Sequence, residues 1–104
     1  MMRRLILLSL FISIAGCASA PAVPRVAGAY GDLGKAKLVL ADDSRGAAAD
    51  FTRAIELDPG NAPLYVLRGM SYRNLGDRQA AEADFKRAVS LDSGLEKAVR
   101  PFMP

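Results

Sequence analysis

The segment Ala49-Asp50-Phe51-Thr52-Arg53-Ala54 returns as Ala83-Asp84-Phe85-Lys86-Arg87-Ala88, displaced by 34 residues. Comparing 47–60 with 81–94 gives nine identities in fourteen positions. Ile55 against Val89 is a further conservative match, and Leu57-Asp58 recurs as Leu91-Asp92. A fixed period of this size denotes one supersecondary unit built twice, whose apolar faces are buried only by stacking on a neighbour. Ala81, Phe85, Ala88 and Val89 share one stripe at helical spacing, so the unit is expected to be helical.

The N-terminal part of the chain follows a different pattern. Met1-Met2-Arg3-Arg4 is a short basic start, and Leu5 to Ile14 is apolar except for Ser9 and Ser13. Small residues follow, in the layout of a secretory signal. Ten residues of helix rise about 15 Å, roughly half of a ~30 Å hydrocarbon core, so a permanent membrane span is not expected. Cys17 is the one cysteine of the chain, which excludes an internal disulfide. Ile14-Ala15-Gly16-Cys17 resembles the lipobox of bacterial lipoproteins. That resemblance implies cleavage before Cys17, diacylglycerol on its thiol and acylation, by palmitate or a similar chain, of the new amino terminus. Two or more buried acyl chains anchor stably where one does not. Ala18 follows the cysteine, where an aspartate would resemble an inner-membrane retention signal. The resemblance therefore implies the outer membrane, facing the periplasm.

Charge adds little after the signal. The full chain carries 14 basic and 11 acidic side chains; losing Arg3 and Arg4 leaves 12 against 11. No basic run or aromatic interleaving points to nucleic acid. Ala18 to Ala27 holds two prolines among small residues and is expected to be an extended tether reaching roughly 30 Å.

From about Ala29 onward helices are expected. In the clearest unit Asn61 is placed to cap a helix with Pro63 in its first turn, and Leu64 to Leu75 continues it. Gly76-Asp77 breaks the helix, and a second runs from Gln79 to Leu91. Tyr65, Gly69, Tyr72, Ala81, Phe85 and Ala88 stand at spacings that resemble a tetratricopeptide repeat. Arg68 stands where leucine is commonest in that family, and Ser93 where proline is expected. The resemblance implies close helix approach at Gly69 and Ala81, with Tyr65, Tyr72 and Phe85 filling the gaps and Ala88 admitting the next helix. In the preceding unit Ala47, Phe51 and Ala54 match on a helix from Arg45 to Leu57. Counted back by 34, its first helix is eroded: Gly31 falls at the large aromatic, Lys35 at the glycine and Leu38 at the second aromatic. Asp42-Asp43 replaces the glycine–aspartate turn. Glu96 to Arg100 is expected to add one or two turns before Pro101.

The expected fold is thus all-α, a short array of about two tetratricopeptide-type hairpins. Its divisions are a signal at 1–16, a lipidated Cys17 with tether at 17–27, a degenerate repeat at 28–61, a repeat at 62–95 and a short stub or tail at 96–104. Such arrays normally need three or more repeats. Apolar surface on the Phe51 side or the Val99/Phe102 side is expected to be exposed, leaving either marginal stability or a homodimer that covers one end.

The chain has no histidine, which removes Ser-His and Cys-His nucleophiles and most transition-metal sites. Asp42, Asp43 and Asp50 read as turn and capping acids. Gly28, Gly31 and Gly34 lack the strand context of a phosphate loop. No catalytic residue, metal or cofactor is expected. The resemblance implies a protein-binding groove lined by Val66, Met70 and Arg73, with Asn74 at its rim. An apolar groove with one arginine suits an amphipathic or extended peptide, while packing of Val66 and Met70 on a neighbour is the competing reading. The expected function is a lipid-anchored adaptor in the bacterial envelope, serving pilus, secretion or outer-membrane assembly. An accessory subunit recruiting a cell-wall hydrolase is the alternative, as is a truncated repeat protein with no independent role.

Overall fold

A computed structural model describes residues 23–103; the signal, Cys17 and residues 18–22 of the expected tether lie outside that range. Four helices follow one another as two antiparallel hairpins: α1 (Val23–Val39) with α2 (Ser44–Leu57), then α3 (Ala62–Asn74) with α4 (Arg78–Leu91). The chain then makes a 3-10 turn at Ser93–Leu95, a single turn α5 (Glu96–Val99) and a second 3-10 turn at Arg100–Phe102. No strand occurs among the described residues. The fold is all-α.

The helix boundaries follow local chemistry. The Asp43 carboxylate accepts from the Gly46 amide at 2.8 Å, and that of Asp77 accepts from Ala80 at 3.1 Å, so α2 and α4 begin on aspartate caps. Pro59 pushes Asp58 out of the helical region, which ends α2. Gly76 ends α3 at φ +82°, with its amide donating to Arg73 O and the next amide, Asp77, donating to Tyr72 O at 2.9 Å. Asn61 does not cap α3 with its side chain; its amide group donates to the Asp58 carboxylate at 3.2 Å instead.

Helix α1 starts at Val23, so the last five residues of the expected extended tether are helical. Pro24 is compatible because a helix's first-turn amides have no intrahelical acceptor. Ala27 is already buried, one helical turn beyond that start.

The first hairpin also corrects the expected alignment. A Cβ on Gly69 would lie 2.7 Å from the Phe85 ring, and one on Gly34 would lie 2.7 Å from the Phe51 ring. Gly34, not Lys35, is therefore the close-packing glycine of α1. Tyr30, not Gly31, is the counterpart of Tyr65, and Lys37, not Leu38, that of Tyr72. The turns explain the offset. Asp77 donates to the carbonyl five residues earlier, Tyr72, whereas Asp43 donates to the carbonyl six residues earlier, Lys37. One extra residue in the α1–α2 turn makes the period 35 before it and 34 after it. Asp42 absorbs the bend at φ 50°, a left-handed conformation that aspartate tolerates better than most residues.

Two clusters make up the core. Ala47, Phe51, Ala54, Ile55, Leu64, Tyr65 and Ala88 join both hairpins, with Tyr30, Leu38 and Leu95 packed on them. Ala81, Phe85 and Val99 form the second, under Met70, Tyr72, Phe102 and Met103. Phe51 is covered by α1, and Val99, like Phe51 and Phe85, is 0% exposed, so the tail closes the C-terminal end, while Val26, Leu33 and Leu40 leave apolar surface exposed at the α1 end.

Candidate functional site

Helix α3 carries the side chains expected to line a groove, and the C-terminal segment determines which of them remain open. Val66 is half-buried between the two clusters, and Met70 is half-buried against the second. Phe102 lies 6.1 Å from Phe85, ring centre to ring centre, and the Arg73 guanidinium sits 4.9 Å above the Phe102 ring. Residues 99–103 thus fold back over the part of the α3 face where Met70 points. The packing reading describes Val66 and Met70 better than an open groove does. Asn74 is exposed and points the other way, donating to Ser44 Oγ at 3.3 Å across the hairpin junction.

Beside the tail a cleft of about 420 Å³ remains, walled by Arg73, Gly76, Arg78, Ala81, Glu82 and the segment Pro101–Met103. Arg73 and Arg78 form no ion pair among the described residues, while Glu82 is engaged by Lys86 at 2.7 Å. The cleft therefore offers two cationic groups at its rim and aromatic and thioether surface within. Such a lining favours a chain segment that presents an acid next to an apolar side chain. Met103 and Arg78 were not singled out in the sequence, and Phe102 was expected only as open apolar surface, because their place depends on the tail turning back. The one hint in the sequence was Pro101, which stops α5 and redirects the chain.

Arg68 is committed to structure. Its Nε and Nη2 donate to the two oxygens of Asp84 at 2.8 and 2.7 Å, and Nη1 reaches Thr52 Oγ1 at 3.3 Å. Asp84 raises the pKa of the guanidinium above its ordinary value, and burial opposes that rise. The same group lies 5.7 Å from the centre of the Tyr65 ring and 5.8 Å from that of Tyr72. A residue that departs from the family's leucine thus ties α2, α3 and α4 together. Asp50, the counterpart of Asp84, is met by Lys37 at 2.9 Å, and its carboxylate raises the lysine's pKa.

The repeat-packing positions surround this pair. Gly69 and Ala81 lie at the α3–α4 crossing, where a Gly69 Cβ would also approach Ala81 O to 3.2 Å. Tyr65 packs in the junction and donates its hydroxyl to Pro59 O at 2.9 Å, and Ala47, Phe51, Ala54 and Ala88 are fully buried beside it. Among the described residues no three metal-ligating side chains converge, and no helix is long and apolar enough to cross a membrane.

Residues 62–94, which span α3, its turn and α4, match the tetratricopeptide repeat family model. The chain contains a tetratricopeptide repeat. No curated protein and no solved structure matches it. The Gly34–Phe51 crossing gives α1–α2 the same local packing outside the matched span.

Proposed function

We propose that this tetratricopeptide-repeat chain is a non-enzymatic adaptor, attached to the bacterial envelope through lipid on Cys17 and holding a protein partner near the membrane. The observation that carries the binding half is the cleft between the α3–α4 turn and the tail, with Arg73 and Arg78 free of ion pairs among the described residues. A partner segment with alternating acidic and apolar side chains suits that lining. The anchoring half rests on the sequence Ile14-Ala15-Gly16-Cys17 behind a basic start and an apolar run. An outer-membrane position facing the periplasm follows from Ala18, by analogy with sorting signals. Pilus, secretion or outer-membrane assembly is the setting in which a small anchored adaptor of this kind would act.

Two experiments test the halves separately. Cys17→Ser is expected to release the protein from the membrane fraction and to abolish incorporation of labelled palmitate; membrane retention without label would refute the anchor. Isolation of the wild-type protein from detergent-solubilised envelopes is expected to bring down a stoichiometric assembly component, with recovery reduced by Arg73→Glu. Recovery of a wall hydrolase in its place would favour the accessory-subunit role.

A further inference from the structure

Helix α1 carries a second, unpartnered repeat interface. In α3 the face turned toward the preceding hairpin holds Leu64, Arg68 and Ser71: Leu64 packs with Phe51 and Ile55, Arg68 donates to Thr52, and Ser71 is 0% exposed. The 35-residue offset places Ala29, Leu33 and Ala36 at the same positions of α1. Val26 extends the row, as does Leu40 just past the end of α1 with its amide still donating to Ala36 O at 2.9 Å, giving Val26, Ala29, Leu33, Ala36 and Leu40 at alternating spacings of three and four. This spacing makes a seam that locks into another helix by knobs-into-holes packing. All five residues are exposed, Leu33 by 48% and Leu40 by 84%. Where α3 has arginine and serine, α1 has leucine and alanine.

We infer that this seam pairs with the same seam of a second copy, the two α1 helices running antiparallel about a two-fold axis. The side-chain sizes select the arrangement. Val26, Leu33 and Leu40 occupy one heptad position, and Ala29 and Ala36 occupy the other. Antiparallel pairing with the axis between Leu33 and Ala36 sets Leu33 against Ala36 and Leu40 against Ala29 of the second copy, with Val26 at the end of the seam, whereas parallel pairing opposes leucine to leucine and leaves voids at the alanine layers. Head-to-tail stacking is disfavoured. On α4 the counterparts of Ala48 and Thr52 are Glu82 and Lys86, an ion pair at 2.7 Å, and Val99 already covers Phe85. A two-fold pair is isologous and closes on itself. With one helix face per copy, the contact falls below the ~1,200 Å² of strong interfaces, so the dimer is weak and concentration-dependent.

Sedimentation of the full-length Cys17→Ser chain, which keeps the seam but cannot be lipidated, tests this independently of the anchor. The chain is expected to shift from monomer to dimer with concentration. Leu33→Glu is expected to weaken dimerisation roughly tenfold or more while leaving helical circular dichroism unchanged. In the same background a short bismaleimide is expected to join Leu33→Cys copies, which sit near the axis, and not Val26→Cys copies. A monomer at every concentration, or dimerisation unaffected by Leu33→Glu, overturns the pairing. Equal bridging at both positions overturns the antiparallel arrangement. A chain that stays monomeric while binding phosphatidylglycerol vesicles through Leu33 assigns the seam to a lipid surface and also refutes it.

Discussion

At the scale of single residues, Arg68 and Asp84 form the interaction with the largest expected effect on stability. Their side chains are 19% and 7% exposed, so removing one partner leaves a charge in a poorly solvated place. Asp84→Ala is expected to destabilise the protein by about 3 kcal/mol, read as a shift in the urea midpoint of helical circular dichroism. Replacing both, as R68L/D84A, restores the leucine common in the family and is expected to recover most of that loss. The pair was only half legible in the sequence. Arg68 stood out against the family pattern, but Asp84 lay inside the repeated hexapeptide, where nothing distinguished it from Asp50. Identifying its partner required knowing which face of α3 meets α4.

Among the elements, α1 shows how a correct repeat length can misplace a helix. The 34-residue period came from α2 and α4, where identity is high, and was carried back across a turn that holds one extra residue. Turn length is weakly encoded, because Asp42-Asp43 performs the same bend and cap as Gly76-Asp77. Helix α1 accordingly looked more eroded than it is. Gly34→Ala places a methyl group against the fully buried Phe51 ring and is expected to cost about 1–3 kcal/mol. Lys35→Ala is expected to stay within about 0.5 kcal/mol. The reverse ranking in thermal melts would restore the 34-residue alignment for α1. The Lys37–Asp50 contact adds a pH signature. Because Asp50 raises the lysine's pKa in the folded state, its stabilising contribution is complete below the ordinary lysine value of 10.5 and lost as pH climbs through the raised folded value. A comparison of urea midpoints is expected to show that Lys37→Gln removes this part of the alkaline loss, leaving a shallower decline than wild type above pH 10.5.

For the molecule as a whole, the distribution of open and closed surface matters most. Two hairpins were expected to leave apolar ends, and the tail closes one of them by placing Val99 and Phe102 on Phe85. That closure withdraws Met70 from the groove and moves the accessible chemistry to the cleft beside Arg73 and Arg78. Tail docking had no signature in composition or periodicity, since it brings Phe102 back onto Phe85 and Arg73, 17 and 29 positions earlier, outside the repeat pattern. The fold class was legible because repetition and helical spacing agree. The site was not, because a groove shared among repeats depends on what covers the last one. Site-specific photocrosslinking in living cells tests the binding cleft most directly. A crosslinking side chain at Arg73 is expected to capture one discrete envelope protein, and the same group at Lys86, on the exposed face of α4, is not. Equal capture from both positions, or from neither, would contradict a partner seated in the cleft.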